Sequence, residues 1–321
     1  MPANTDFTSL ISSTLDAFIK NEVTSQVIGN NALLKILQSK GNIVHEVGGT
    51  NFRENIRYSA NSTVNWHNPT DIIDTTPQDE FSSAVFAQKF LSASYQISIQ
   101  EKLQNAGDRA IFNLIEQRLK ALLGDLRNAV GAALFDDGTG YSGKTLGGLQ
   151  LLIADDPTSG TVGNINRASN AFWRNQVYDF STSAGGNASA SNIQAGMNKL
   201  YLDCQVQENS VPDLIIADAN YFGFFENSLQ QIQRITNTNE GKLGFQNLAY
   251  KSSSVVYDPN TPANHMYFIN TDYVKFKHLN NPLFTQESTQ RPLNQLTYVT
   301  PVYLYGNLTI NSARVHGVAK N

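Results

Sequence analysis

Charged side chains are scarce in this sequence of 321 residues, where Asp, Glu, Lys and Arg make up 16%, against about 25% in an average soluble domain. With 23 Lys and Arg against 27 Asp and Glu, the formal net charge is −4 and the sequence pI is about 5.7. This balance excludes a strongly basic nucleic-acid-binding domain, which would carry a positive patch. A surface with so little charge repulsion suits contact with further copies of the same chain.

Cysteine is almost missing as well, since Cys204 is the only one. A single cysteine excludes an intrachain disulfide and fits a reducing compartment. No apolar run approaches the roughly 18 residues of a membrane span, and the first basic residue is Lys20, so no signal peptide is readable. We therefore expect a protein kept in the cytoplasm, with no membrane partner. None of the five histidines has metal-ligand spacing, and we predict no metal and no cofactor.

The most informative feature that is present is a long amphipathic helix, predicted from Asp108 to Phe135. Apolar residues recur there at three- and four-residue steps, which is the period of one helical face. Its 28 residues would form a rod of roughly 42 Å, long enough to be a scaffold element. A shorter amphipathic helix is predicted from Phe7 to Ile19.

A change to two-residue periodicity predicts strands on either side of a long polar segment. Leu91 to Gln100 alternates apolar and polar residues, and Phe52 to Tyr58 does so more weakly. The polar segment, Ser59 to Glu80, would be the wide tip of a long hairpin. A hairpin alone is marginally stable in water, so we expect this one to rest on a neighbouring subunit. Its few large apolar residues are Trp66, Ile72 and Ile73.

The rest of the chain mixes helices and strands without a regular β-α-β alternation, which indicates an α+β fold. Helical faces are predicted at Ile193–Cys204 and Tyr221–Ile232, with a short buried strand at Leu214–Ala217 between them. From Lys242 onward the pattern is mostly strand and turn. Gly306-Asn307 is a two-residue hairpin signal between two strands, Leu296–Tyr305 and Leu308–Val318.

One motif suggests an enzyme, because Gly138 to Thr145 reads Gly-x-x-x-x-Gly-Lys-Thr, the phosphate-loop pattern. Lys144 would reach the outer phosphates, Thr145 would bind Mg²⁺, and Asp218 would supply a second magnesium ligand. A P-loop nucleotide hydrolase is therefore the alternative function. Such a loop must follow a buried parallel strand, however, and here it follows the long helix. We expect a helix end and a flexible glycine loop instead, and not an enzyme.

Arg167 and Arg174 lie near Trp173 in the sequence and could grip an anion. A place on the surface or in a contact between subunits is at least as good an interpretation of these three residues.

Several segments resemble the major capsid proteins of tailed bacteriophages with the Hong-Kong-97-like fold. The residues that carry the resemblance are Gln104–Gly107 before the long helix, Leu134 to Gly140 at its end, Leu146–Leu149 running to Pro157, Gly163–Arg167 leading to Phe172–Asn175, and Pro212–Ile216. This resemblance extends over nearly the whole chain.

The resemblance implies an N-terminal arm, an extended β-hairpin loop, a long spine helix in a peripheral domain, and an axial domain. The predicted divisions are 1–42 for the arm, 43–100 for the extended loop, 101–190 for the peripheral domain, 191–271 for the axial domain, and 272–321 for strands that return to the peripheral domain. Subunit-interface candidates are Arg53, Arg57, Trp66, Ile72 and Ile73 on the hairpin, together with Arg167, Trp173 and Arg174.

By the same resemblance, the protein would be a structural coat protein that self-assembles into pentamers and hexamers of an icosahedral phage head. The head would enclose double-stranded DNA without sequence-specific binding. Further partners would be a separate scaffolding protein and a portal. The location would be the virion capsid, assembled in the host cytoplasm.

Overall fold

A computed structural model describes residues 31–104, 114–183, 186–205, 210–229 and 247–321. The predicted N-terminal helix at Phe7–Ile19 lies outside these ranges. The helices are α1 Ala32–Ser39, α2 Ile99–Gln104, α3 Leu114–Ala133, α4 Leu149–Leu152, α5 Phe180–Ser183, α6 Ile193–Cys204 and α7 Ala219–Ser228. A further single turn at Gly140–Gly143 is left-handed at Tyr141 and Ser142, and two 3-10 turns lie at Ala171–Trp173 and Thr271–Tyr273. The strands are β1 Ile43–His45, β2 Asn51–Arg57, β3 Phe81–Ala87, β4 Lys89–Ser98, β5 Thr161–Val162, β6 Ile165–Asn166, β7 Gln176–Asp179, β8 Leu214–Ala217, β9 Asn247–Tyr250, β10 Ser253–Tyr257, β11 His265–Ile269, β12 Val274–His278, β13 Thr285–Gln286, β14 Thr297–Ile310 and β15 Gly317–Lys320.

The described chain forms two units. The larger contains residues 31–90, 130–280 and 305–321, and the smaller contains residues 91–129 and 281–304. The five divisions expected from the resemblance stay a prediction.

A six-stranded sheet organises the larger unit, in the order β7-β15-β11-β8-β10-β9. The β7–β15 and β8–β10 pairs are parallel, and the other neighbours are antiparallel. All four residues of β8 are buried, because α6 and α7 pack against the sheet. Their apolar faces form one core with it, from Ile193, Met197 and Leu200 to Tyr221 and Phe225.

A second set of strands in the larger unit pairs β1 with β12 in parallel and β12 with residues Gly306–Ile310 of β14 antiparallel. The predicted hairpin turn at Gly306-Asn307 is wrong, because β14 continues through both residues. A Cβ at Gly306 would lie 2.9 Å from the Lys277 carbonyl oxygen, so the glycine permits close approach to β12. Asn307 is fixed by its side chain, which accepts from the Gly147 amide at 3.1 Å and donates to the Ala87 carbonyl at 2.7 Å.

The smaller unit contains α2, most of α3, and the pairing of β13 with β14 at Thr285↔Tyr303. A reciprocal capping box begins α2: Glu101 accepts from the Ser98 amide at 2.8 Å, and Ser98 Oγ accepts from the Glu101 amide at 3.1 Å. Such a cap satisfies two amides that a helix start otherwise leaves without partners. Arg118 of α3 forms an ion pair with the same buried glutamate.

The long predicted helix is confirmed over its described part. α3 is helical for 20 residues from Leu114, while residues 108–113 of the prediction lie outside the described ranges. It ends at Ala133, two residues before the predicted end. Leu126 and Val130 are buried as the apolar periodicity requires.

We predict that α6 contributes to stability through its inner face only. Leu200 is fully buried and Leu202 is 52% exposed on the same helix. Leu200→Ala leaves a cavity and should lower the free energy of unfolding by roughly 2–5 kcal/mol. The matched control Leu202→Ala should stay within about 0.5 kcal/mol of the parent. Urea denaturation followed by circular dichroism measures both, and equal losses would contradict the assigned core.

Candidate interaction surface

The glycine loop of the phosphate-binding motif lies in the wrong context for a nucleotide. It follows α3, and turns rather than a strand occupy residues 134–138. The amides that would cradle a phosphate donate inside the loop instead, from Gly143 to the Thr139 carbonyl at 2.9 Å and from Lys144 and Thr145 to the Gly140 carbonyl at 3.1 and 3.3 Å. The P-loop alternative therefore lacks the strand that it needs, and three of the loop's N–H groups already have acceptors inside the loop.

The other residues of that alternative have structural positions of their own. Lys144 is exposed. Asp218 is buried and caps α7, accepting from the Tyr221 amide at 2.9 Å and from the Asn264 amide at 2.8 Å. With both carboxylate oxygens engaged by backbone donors, Asp218 acts as a helix cap, which corrects its assignment as a magnesium ligand.

Arg167 and Trp173 are inside the larger unit, each 1% exposed. Arg167 donates to the last carbonyls of α4, those of Leu151 at 3.1 Å and of Leu152. Burial lowers the pKa of Arg167 to about 10, so the guanidinium stays charged at neutral pH. Trp173 donates from Nε1 to the Val162 carbonyl at 3.0 Å.

The assignment of Arg167 and Trp173 to a subunit interface is therefore corrected. Both side chains are buried and donate to backbone carbonyls of their own chain. Arg174 is half-buried and donates to the Arg167 and Ala168 carbonyls at 2.8 and 2.7 Å.

The hairpin exists, but its second strand differs from the predicted one. β2 pairs antiparallel with β3, from Asn51↔Ala87 to Arg57↔Phe81. The predicted strand at Leu91–Gln100 is real and corresponds to β4, which pairs with β14. β3 is not predictable from the periodicity, because its stretch Phe81-Ser82-Ser83-Ala84-Val85 alternates poorly between apolar and polar residues.

One face of the hairpin is buried at its base. Phe52 and Ala84 are fully buried, and Ile56 and Phe86 are 5% exposed. The β5–β6 turn docks on this base, since Gly163 accepts from the Val85 amide at 2.9 Å. A Cβ at Gly163 would lie 2.9 Å from the Ala84 Cβ, so only glycine allows this approach.

A buried ammonium fixes β2 to β12. Lys277 Nζ lies 2.7 Å from Glu46 Oε1, 2.8 Å from Glu54 Oε1 and 2.9 Å from the Arg53 carbonyl oxygen. Glu54 also accepts from Thr309 Oγ1 at 2.8 Å. Burial by itself lowers the pKa of Lys277, but hydrogen bonds and the charges of the two glutamates outweigh it and raise the pKa. The lysine therefore stays charged, and all three of its donors are used.

Beyond the paired strands, the tip loop (residues 58–80) is held by short-range hydrogen bonds. Tyr58 donates to the Glu80 carbonyl at 3.0 Å and Arg57 pairs with Glu80 at 2.8 Å, which closes the neck. Asn61 and Asp74 accept from the amide and hydroxyl of the threonine two residues later, at 2.6 to 2.9 Å. Such local turns give the loop a defined path without a core of its own.

Large apolar side chains on the tip loop face solvent. Trp66 is 103% exposed, Ile72 94% and Ile73 66%, and Val64, at 80%, was missed by the sequence reasoning. Four large apolar side chains this exposed within one loop are a candidate interaction site. Arg53 is exposed on the same hairpin. The interface role of Arg53, Arg57, Trp66, Ile72 and Ile73 stays a prediction.

Among the described residues, no helix combines the length and apolarity needed to cross a membrane. Within the same ranges there is no cluster of three or more His, Cys, Asp or Glu side chains that could hold a metal ion. Burial raises the pKa of the Cys204 thiol, so this cysteine is unreactive.

Comparison with known proteins shows the fold. No protein-family model matches the sequence, and no curated protein matches it. The structure is similar to the capsid of cyanophage A-1(L), with a TM-score of 0.71 at 13% identity over 93% of this chain and 94% of that chain. The chain has the Hong-Kong-97-like capsid fold. The predicted α+β fold class and the resemblance to phage capsid proteins are thereby confirmed at the level of fold.

Two further similarities indicate how widely this fold is used. The capsid of a native GTA particle aligns with a TM-score of 0.63 at 12% identity, over 94% of each chain. The holo-SrpI encapsulin complex from Synechococcus elongatus PCC 7942 aligns with a TM-score of 0.58 at 9% identity, over 99% of this chain and 95% of that chain. Phage capsids and an encapsulin thus share the architecture, so the fold by itself does not identify a function.

We predict that Lys277 holds the hairpin base in place. Lys277→Met leaves Glu46 and Glu54 without their cation, which should cost roughly 3 kcal/mol or more, since Lys277 and Glu54 are buried. Amide hydrogen exchange should speed up in β2. Lys275→Met, on the same strand but more exposed, is the control and should leave exchange in β2 unchanged. Unaltered protection of β2 in Lys277→Met would refute the anchoring role.

A second prediction concerns the ion pair of His265 Nε2 with Asp155 Oδ2 at 3.0 Å. His265 Nδ1 also faces an acceptor, the Ala263 carbonyl at 2.7 Å, so the geometry favours the doubly protonated ring. Burial lowers the pKa of His265, but its bonds to Asp155 and Ala263 outweigh this and raise it. The hydrogen bond from His265 is the main cause that lowers the pKa of Asp155.

The signs of these shifts define a pH window. The contribution of Asp155 is present above its ordinary pKa and is lost as the pH falls through the lowered value. The contribution of His265 is complete below the ordinary histidine pKa and is lost as the pH rises through the raised value. The pair should therefore stabilise most between about pH 4 and about pH 6.5. Because both groups are partly exposed, His265→Ala should cost about 0.5–1 kcal/mol there and less above the window. A cost that is constant with pH would contradict the pairing.

Proposed function

We propose that this protein is a shell-forming major capsid protein, a structural protein that assembles with copies of itself into pentamers and hexamers of an icosahedral phage head. The single observation that supports this most strongly is the similarity of fold over more than nine-tenths of the cyanophage capsid chain. Its role would be structural rather than catalytic, in line with the internal hydrogen bonding of the glycine loop. The predicted arm, extended loop, peripheral domain and axial domain belong to this proposal.

The proposed content of the shell is double-stranded DNA, held without sequence-specific binding. The mildly acidic, charge-poor chain supports this proposal, because a strongly basic wall would retain the incoming DNA through its phosphates. A separate scaffolding protein and a portal would be the other partners. The protein would be located in the virion capsid after assembly in the host cytoplasm.

The exposed tip loop is the proposed contact with the neighbouring subunit. Its base is anchored in its own subunit by Lys277, whereas Trp66, Ile72 and Ile73 have little contact within the chain. Projecting apolar side chains on an anchored loop can bury their surface only against another molecule. Each such contact is weak, and a shell gains its stability by repeating it many times.

The proposal predicts shells or capsomer rings in negative-stain images of the purified protein. The triple variant Trp66→Ser, Ile72→Ser, Ile73→Ser should keep the parent's unfolding free energy within about 0.5 kcal/mol, because these side chains are exposed. It should nevertheless fail to close shells. The control Asn65→Ser, Thr70→Ser, Thr75→Ser changes polar residues of the same loop and should assemble normally.

Parent protein that stays monomeric in every image would count against the shell. Normal shells from the triple variant would exclude the tip contact but leave the shell standing. Nuclease-protected double-stranded DNA in the particles tests the proposed content.

A further inference from the structure

Two histidines lie side by side on neighbouring strands of the larger unit. His45 of β1 and His278 of β12 are opposite each other in the parallel pairing of these strands. Their ring centroids are 5.5 Å apart, and the ring planes are tilted by 51°. His278 is 7% exposed, whereas His45 is exposed. The pair is therefore partly buried but can be reached from solvent along His45.

The backbone fixes which nitrogen of each ring carries a proton. His278 Nδ1 lies 2.6 Å from the Asn280 carbonyl oxygen, and His45 Nε2 lies 3.2 Å from the Leu279 carbonyl oxygen. A carbonyl oxygen can only accept, so both of these nitrogens donate. In the neutral rings the lone pairs are then at His278 Nε2 and His45 Nδ1. Histidines that bind metals are oriented in the same way, by a hydrogen bond from the second ring nitrogen to a carbonyl or carboxylate.

The distance between the rings fits one shared metal ion. A zinc ion about 2.0–2.1 Å from a nitrogen of each ring lies about 3.2 Å from each ring centroid, and a tetrahedral angle at the ion then separates the centroids by about 5.2 Å. The observed separation of 5.5 Å is close to this value. The geometry of the pair therefore needs little adjustment to hold an ion between the rings.

The protonation state of the buried ring also suits a ligand. Burial is the main cause that lowers the pKa of His278, and the charge of His45 acts in the same direction. The His278 ring is therefore neutral at pH 7, which is the form that binds a metal.

The charged residues next to the pair in sequence point to the other face of the strands. Lys277 precedes His278 and Glu46 follows His45, and side chains of consecutive strand residues point to opposite faces. Lys277 Nζ is neutralised there by Glu46 Oε1 at 2.7 Å and by Glu54 Oε1 at 2.8 Å. A cation at the histidine pair would therefore not share its face with an unpaired ammonium.

We propose that His45 and His278 bind one divalent transition-metal ion through His45 Nδ1 and His278 Nε2. Imidazole nitrogen suits Zn²⁺, Ni²⁺ and Cu²⁺, whereas Mg²⁺ and Ca²⁺ prefer oxygen ligands. Among the described residues, no third His, Cys, Asp or Glu joins the pair to form a larger cluster, so water completes the coordination. The site is consequently open, unlike a structural zinc site with four protein ligands. This inference does not depend on the proposed function.

The ion would link β1 to β12 just before the chain reverses at Gly48-Gly49. β1 has only three residues, so one added link is a large part of what holds it. A ligand that binds the folded chain but not the open form suppresses opening. Zinc should therefore slow amide hydrogen exchange in β1, and the same concentration of MgCl₂ should not.

The test measures zinc binding to the full chain by isothermal titration calorimetry. His45→Ala removes one of the two ligands and should weaken zinc binding at least tenfold. Because His45 is exposed, this variant should fold like the parent, which circular dichroism without metal checks. The matched control is His67→Ala, which removes an exposed histidine of the tip loop and should bind zinc like the parent.

Electron paramagnetic resonance of the Cu²⁺ complex then counts the nitrogen ligands. The parent and His67→Ala should show two coupled nitrogens, and His45→Ala should show one. Together with slower exchange in β1, this result supports the site. Equal zinc affinity of the parent and His45→Ala, or binding that leaves exchange in β1 unchanged, would place the ion elsewhere and overturn the inference. A parent protein that binds no zinc overturns it as well, while the proposed shell function is untouched.

Discussion

The position of the hairpin depends on one buried ammonium. A tip of 23 residues, 58–80, with no core of its own cannot orient itself, so the orientation has to be imposed at the base. Lys277 does this by binding the chain on both sides of Gly48-Gly49, at Glu46 before them and at Arg53 and Glu54 after them. The two glycines have φ of +77° and +98°, a backbone conformation that other residues adopt only with strain. Lys277 thus fixes the direction in which the hairpin leaves the reversal of the chain at Gly48-Gly49.

Features that depend on periodicity could be predicted from the sequence. The long helix, the strands β2 and β4 and the helix α6 show apolar residues at a regular period, because each has one buried face, and the strand β8 is a short continuous apolar run because all of it is buried. The exposed apolar residues of the tip could be predicted too, since they interrupt an otherwise polar segment. The local pattern marks these side chains as exceptional but contains no information about what they contact.

The predictions that were wrong concern residues whose positions are decided by tertiary contacts. Gly306-Asn307 has the composition of a turn, yet the close approach of β12 explains the glycine and two long-range hydrogen bonds explain the asparagine. Arg167 is charged, which predicts a place on the surface or in an interface, but it is buried and its two terminal nitrogens donate to the Leu151 and Leu152 carbonyls at the end of α4. The link of Lys277 to Glu54 joins residues more than 200 positions apart, and nothing in either local sequence marks them as partners.

The glycine loop shows why a motif needs its structural context. The same sequence motif forms a phosphate-binding loop when it follows a strand and its successive N–H groups point outward. Here the loop follows the helix α3, and its hydrogen bonds are internal. Its amides donate to Thr139 and Gly140, and the backbone of Tyr141, Ser142 and Gly143 is left-handed. Two consecutive non-glycine residues in that conformation are strained, and the internal hydrogen bonds hold them there. A phosphate could bind these amides only after those bonds were broken, so this loop is better described as the end of α3 than as a phosphate-binding site.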